Sequence, residues 1–181
     1  MQVKGVALRT TLEMLASELG QGARDRVWSA LPPDVRDALA AGLLPSTSYP
    51  VAYQAALHQA IRSEVGGGEL WANRRVGAAA ARRDFGGIYR VFVLASSYER
   101  LLRGVGRAFR HYNSQGAVAW EHIGEGSAMG HISEVDGYVE GMWHAIAGRL
   151  ETLLVMGGAH QASVVVEAWS PTSVTLRATW R

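Results

Sequence analysis

The chain has 181 residues, 48% of them hydrophobic and 19% charged, a balance that excludes a largely disordered polymer; at about 100–200 residues per domain, one domain over 1–181 is expected. It contains no Cys, which excludes disulfides, thiolate metal sites and cysteine nucleophiles. The net charge of +2 hides a basic belt: residues 1–73 carry six basic and seven acidic groups, 74–110 carry nine arginines against Asp84 and Glu99, and 111–181 carry three and seven.

The first segment, Gln2 to Leu8, reads as a short strand or an extended lead-in. Thr10 or Thr11 offers an N-cap for a helix bearing Leu12, Leu15, Ala16 and Leu19, closed by Gly20. A second helix carries Ala23, Val27, Trp28 and Leu31, and Pro32-Pro33 breaks it and opens a third that stops at Gly42. The Leu43–Pro50 stretch holds two prolines, which force extended geometry on the residues before them, so an ordered apolar connector is expected there. Helix resumes from Val51 to about Val65 and, after Gly66-Gly67-Gly68, from Glu69 to Phe85. Ile88 to Leu94 suits either helix or buried strand. Ser96-Ser97 then caps a strong helix from about Tyr98 to Tyr112.

After Asn113 the apolar period falls to two. Gly116 to Ile123 and Ser127 to Glu134 read as strands about a Gly124-Glu125-Gly126 turn. Asp136 is expected to cap an amphipathic helix carrying Val139, Trp143, Ile146 and Leu150, and Ser163–Trp169 with Ser173–Trp180 forms a final hairpin. A three-residue loop, Ser170-Pro171-Thr172, puts Val164, Val166, Ala168, Val174, Leu176, Ala178 and Trp180 on one face. A two-residue Ser170-Pro171 turn would split that set across the sheet, so the consistent apolar face selects the longer loop. The fold class is α+β: an N-terminal helical layer plus a C-terminal antiparallel sheet, built as β-hairpin, helix, β-hairpin and covered by helices.

No apolar run is long enough to span a bilayer, and a charge at Lys4 precedes any signal-type core, so a cytoplasmic protein is expected. The six histidines show no metal-ligand spacing, and no phosphate-loop or nucleophile-elbow spacing occurs, so no metal, cofactor or catalytic residue is nominated. Two constellations remain. Trp120, His122, His131, Trp143 and Trp180 map to the sheet and its covering helix and would line a ligand cavity between those layers. Core packing is the commoner role of such tryptophans. His122 and His131 share a face if the first hairpin loop is even-numbered and part if it has three residues. The second is Arg100, Arg103, Arg107 and Arg110, which steps of three, four and three place on one helix face. Four guanidinium forks suit an anion or an acidic partner surface; a solvated amphipathic helix is the commoner explanation of such a stripe. Without a reading motif, nucleic acid is not expected.

Four segments carry a resemblance: Val3-Lys4-Gly5, Ala30-Leu31-Pro32-Pro33-Asp34-Val35-Arg36, Leu43-Leu44-Pro45-Ser46 with Tyr49-Pro50, and Phe85-Gly86-Gly87-Ile88-Tyr89-Arg90-Val91-Phe92. Their order and spacing resemble an uncharacterised, mainly myxobacterial family related to the group that holds four-vinyl-reductase domains, heme-nitric-oxide-binding domains and TRAPP vesicle-tethering subunits. The resemblance implies a helical layer on an antiparallel sheet, homodimerisation, and binding of small ligands or partner proteins. Two departures limit it. Vinyl-reductase-type cysteines are absent near the last hairpin. The Tyr-x-Ser-x-Arg heme-contacting motif is also absent, the nearest text being Tyr98-Glu99-Arg100-Leu101-Leu102, so heme is not carried over. The expected function is a non-catalytic module in signalling that binds a small apolar ligand; the alternative is a TRAPP-like adaptor without a ligand.

Overall fold

A computed structural model describes residues 1–86 and 93–181; most of the ambiguous Ile88–Leu94 stretch lies outside the described residues. In chain order the elements are β1 (Gln2–Lys4), α1 (Gly5–Leu19), α2 (Gln21–Ala30), α3 (Pro33–Ala40), β2 (Ser48–Pro50), α4 (Val51–Glu64), α5 (Trp71–Asp84), α6 (Tyr98–Tyr112), β3 (Ala117–Gly124), β4 (Ser127–Ser133), α7 (Glu140–Met156), β5 (Ala162–Ser170) and β6 (Ser173–Trp180). The four long strands form one antiparallel sheet in the order β3-β4-β6-β5, while β1 and β2 pair separately. The expected α+β class, with its helical layer and hairpin–helix–hairpin end, is the observed one.

Two of the segments quoted for the resemblance, Val3-Lys4-Gly5 and the stretch from Leu43 to Pro50, meet in space. Val3 pairs with Tyr49 across β1 and β2, Gly5 N–H donates to Thr47 O, and Val6 N–H donates to Pro45 O. A Cβ on Gly5 would stand 2.3 Å from Leu44 O, so only glycine lets the connector approach this closely. These bonds also correct the start of α1. The helix begins at Gly5, not after a Thr10 or Thr11 cap, because the connector's carbonyls satisfy the first-turn N–H groups that a side-chain cap would otherwise serve. Both threonines are buried inside the helix, and Thr11 Oγ1 donates to Ala7 O.

α7 likewise starts later than expected. Asp136 caps nothing; the 134–139 segment docks on the β5–β6 turn, Tyr138 N–H donating to Pro171 O, and the helix opens at Glu140. In the last hairpin, Val164 faces Ala178 and Val166 faces Leu176, the register of the three-residue loop. A bulge between Val166 and Ala168 then shifts the pairing by one, so Ser170 meets Ser173 about a two-residue turn. Past that bulge Ala168 is exposed rather than on the inner face, whereas Val164, Val174, Leu176, Ala178 and Trp180 are buried.

α5 and α7 cross at very close range. A Cβ on Gly77 would lie 2.0 Å from Ala145 O, and one on Gly148 would lie 2.2 Å from Arg74 O. The small residues along α5 therefore set the distance between the N-terminal helices and the helix that backs the sheet. The Arg74 guanidinium ties that crossing to β5, reaching Glu151 Oε2 at 2.5 Å and Val164 O at 2.8 Å.

Candidate functional site: a cavity among the helices

None of the sequence-nominated tryptophans and histidines is among the residues that line the cavity among the helices. Trp143 is fully buried, stacks on Tyr138 with ring centroids 4.2 Å apart, and donates Nε1–H to Ser170 O at 3.0 Å. Trp180 packs against Tyr98 and His122. Trp120 lies over Gly130, where a Cβ would meet its ring at 2.5 Å, and its buried Nε1–H has no partner among the described residues. The β3–β4 pairing sets His122 opposite Ala128 and His131 opposite Ala119, which puts the two histidines on opposite faces of the sheet. His131 sits on the outer face, 3.4 Å from Thr175 Oγ1. Of the six tryptophans, Trp71 and Trp169 are exposed rather than core.

The open space lies on the other side of α7. A cavity of about 350 Å³, open to solvent on one side, is lined chiefly by α1, α4, α5, α6 and α7, with Phe85, Val93 and Tyr138 adding to the described wall; it lies at the lower end of the roughly 300–1,000 Å³ range of small-molecule sites. Helical spacing explains how α7 serves two layers. Met142, Ile146, Arg149 and Leu153 fall on one face and line the cavity, while Trp143 turns to β5. From α6 come Leu101, Gly104, Val105 and Ala108, and from α5 come Val76, Gly77 and Ala80. Small residues on two facing helices leave the volume that larger side chains would fill.

Most polar groups on this wall answer each other. Tyr112 Oη–H and Arg149 both reach Asp84 Oδ2, at 3.4 and 2.8 Å. Burial, then the Asp84 carboxylate, hold the Tyr112 phenol above its ordinary range. Tyr138 Oη–H donates to Asn113 Oδ1 at 3.0 Å, and Asn113 Nδ2–H donates to Phe109 O. His58 on α4 is the exception in chemistry. Asn73 Nδ2 donates to His58 O at 2.8 Å and stands 3.1 Å from His58 Nδ1. Its second hydrogen makes Nδ1 an acceptor, so the neutral ring carries its proton on Nε2. Burial first, and the Arg149 charge second, lower the His58 pKa to about 4.

The basic belt divides at this site. On α5, Arg74 pairs with Glu151, Arg82 with Glu18 and Arg83 with Glu13. The stripe on α6 keeps its charge: Arg100, Arg103, Arg107 and Arg110 are all exposed, and none has a carboxylate partner among the described residues. Arg100 and Arg107 line the cavity at its mouth, whereas Arg103 and Arg110 do not. Periodicity alone found the stripe. The apolar cavity had no comparable signal, because its wall is gathered from five helices far apart in sequence.

Solved structures give the architecture a precedent. An unliganded Fe(II) H-NOX protein from K. algicida superposes with a TM-score of 0.70 at 11% identity, over 98% of this chain and 96% of that one. An H-NOX protein from S. oneidensis in the Fe(II)NO state gives 0.69 at 9% identity, over 98% and 99%. An oxygen-binding H-NOX domain related to soluble guanylate cyclases gives 0.68 at 12%, over 98% and 95%. The fold is that of heme-nitric-oxide-binding domains. At these identities the likeness is one of fold. No family model matches the chain, and no curated protein matches it.

The H-NOX-like fold raises the question of heme, and the donors on this wall answer it. Heme iron takes an axial lone pair from His, Cys, Met or Tyr. α6 turns Leu101, Gly104, Val105 and Ala108 to the cavity, and its one histidine, His111, is exposed. His58 is the only histidine among the described lining residues, and Asn73 holds its acceptor nitrogen, leaving a protonated Nε2. The Tyr112 and Tyr138 hydroxyls are engaged with Asp84 and Asn113, and the Met142 thioether, a weak neutral donor, has no free imidazole on the described wall to act with it. The described residues do not fit a heme iron. They also hold no group of three or more His, Asp or Glu able to bind a metal, and no helix among them is long and apolar enough to cross a membrane.

Proposed function

We propose that this protein is a non-catalytic, small-ligand-binding sensor module of one domain over 1–181, in which the helical cavity receives an apolar molecule in place of a heme. One observation carries the reading: an apolar cavity of about 350 Å³ persists among tightly crossing helices, and the polar groups around it are largely satisfied by each other. A space of this size is costly to leave open unless something fills it, because its lining forfeits dispersion contacts. An H-NOX-like fold, which a solved oxygen-binding H-NOX domain shares, supports the same reading. Homodimerisation, a signalling setting and kinship with the myxobacterial, vinyl-reductase and TRAPP-like proteins belong to this proposal through the segments quoted above.

Native mass spectrometry of the purified chain, repeated under denaturing conditions, tests it. The expected result is a dimer carrying a stoichiometric extra mass that is lost on denaturation. A clean apo dimer that also rejects every apolar probe would sink the ligand reading and leave the adaptor. A monomer would remove the dimer alone.

A further inference from the structure

We infer that the cavity's ligand is an amphiphile with an apolar body and a single terminal anion, and that Arg100 and Arg107 are the residues that receive the anion. The inference rests on the cavity reading above and adds the chemical class of the ligand.

Three observations on α6 support it. Arg100, Gly104 and Arg107 follow at steps of four and three, so they share one helix face, the two arginines about two turns apart. All three line the cavity, and both arginines are exposed, which sets their guanidinium groups at its mouth. Between them Gly104 leaves a gap: a Cβ built there meets nothing within 4 Å. The arrangement is a doorway with a cation on either side.

The charges at this doorway are also unspent. The α5 arginines are answered by Glu13, Glu18 and Glu151, whereas Arg100 and Arg107 have no carboxylate partner among the described residues. Two planar forks bracketing an opening match a carboxylate or phosphate that stays at the water interface while its apolar chain enters. The wall behind them, Leu101, Val105, Ile146 and Leu153, suits an aliphatic body. An uncharged ligand would use the wall and leave the arginines idle; a free inorganic anion would do the reverse.

Calorimetric titration of the full chain with dodecanoate and with dodecanol separates these cases. The wild-type protein is expected to bind dodecanoate one to one and at least about tenfold more tightly than dodecanol, the worth of one charge-assisted contact. The double variant Arg100→Gln/Arg107→Gln should lose that preference and keep its affinity for dodecanol. Arg103→Gln/Arg110→Gln removes the same net charge from residues outside the cavity and should keep the preference. Gly104→Trp should weaken both probes, and its thermal midpoint should not fall, since the site is open and glycine is a poor helix former. Dodecyl phosphate, run beside dodecanoate, tells which anion the forks prefer.

Equal affinity for dodecanol and dodecanoate would overturn the anion while leaving the cavity reading in place. Equal losses in the two arginine double variants would also overturn it, by making the effect one of overall charge. If neither probe binds, the inference falls, and the native mass spectrum alone then decides the cavity reading.

Discussion

His58 carries a histidine ring in a place where charge is penalised. It is neutral over the physiological range because its pKa is lowered to about 4, chiefly by burial and then by Arg149. In the unfolded chain the ring titrates near the ordinary 6.5, so between about pH 6.5 and 4 the unfolded state binds a proton that the folded state refuses. Stability is therefore full above pH 6.5, falls as pH drops toward 4, and loses nothing further from this group below that; the total is about 3 kcal/mol. Urea midpoints measured from pH 7.5 to 4 should fall more steeply for the wild type than for His58→Asn, which keeps an acceptor for Asn73 and cannot titrate. Parallel slopes would show that the ring does not titrate in this range. The same residue marks what sequence alone leaves hidden. Spacing gives His58 no mark that separates it from the other five histidines; only its contact with Asn73, fifteen positions later, sets its tautomer.

At the scale of elements, helix spacing and caps were legible. Ser97 accepts from Arg100 N–H at the start of α6 as its position predicts, and the Leu101, Val105 and Phe109 face turns inward. Misplaced starts occurred where a distant segment replaced the local cap: the connector at α1 and the β5–β6 turn at the segment before α7. The α5–α7 crossing yields a sharp expectation. A methyl on Gly77 would collide with the Ala145 backbone carbonyl, which no side-chain rotamer relieves. Gly77→Ala should therefore cost roughly 1–3 kcal/mol or more, read as a lower urea midpoint with unchanged slope. An unchanged midpoint would mean that the two helices part easily. Ala79→Gly, on the same helix, should lose only about 1 kcal/mol of helix propensity plus one methyl's packing.

For the molecule as a whole, a ligand that binds only the folded state stabilises it by mass action. At a free concentration a hundred times its Kd, dodecanoate should add about 2.7 kcal/mol, which for a chain of this size is roughly 5–10 °C in thermal midpoint. The Arg100→Gln/Arg107→Gln variant at the same concentration should show a smaller shift, and Gly104→Trp essentially none. A midpoint that does not move for the wild type at saturating ligand would contradict binding to the folded state. The separation of charge in the chain also acquires a meaning only at this scale. The belt over 74–110 is one feature in sequence, yet its arginines among the described residues lie on two helices with opposite fates, α5 answered by carboxylates of α1 and α7 and α6 left open beside the cavity.

What the sequence determined by itself was local and periodic: helices of period 3.6, strands of period two, an apolar inner face shared by β5 and β6, and the arginine stripe on α6. From these the α+β class followed, since an apolar sheet face requires a covering layer. Both hairpin bulges escaped it, because a one-residue slip costs nothing in periodicity and is settled by which side chains the core accepts. The first parted His122 from His131 across the sheet. Tertiary structure alone decided the site. A cavity is the volume that packing fails to fill, and here that depends on the closeness of α5 to α7, allowed by Gly77 and Gly148, and on Gly104 standing between two cations. No single segment encodes that space, since each helix contributes only part of its wall.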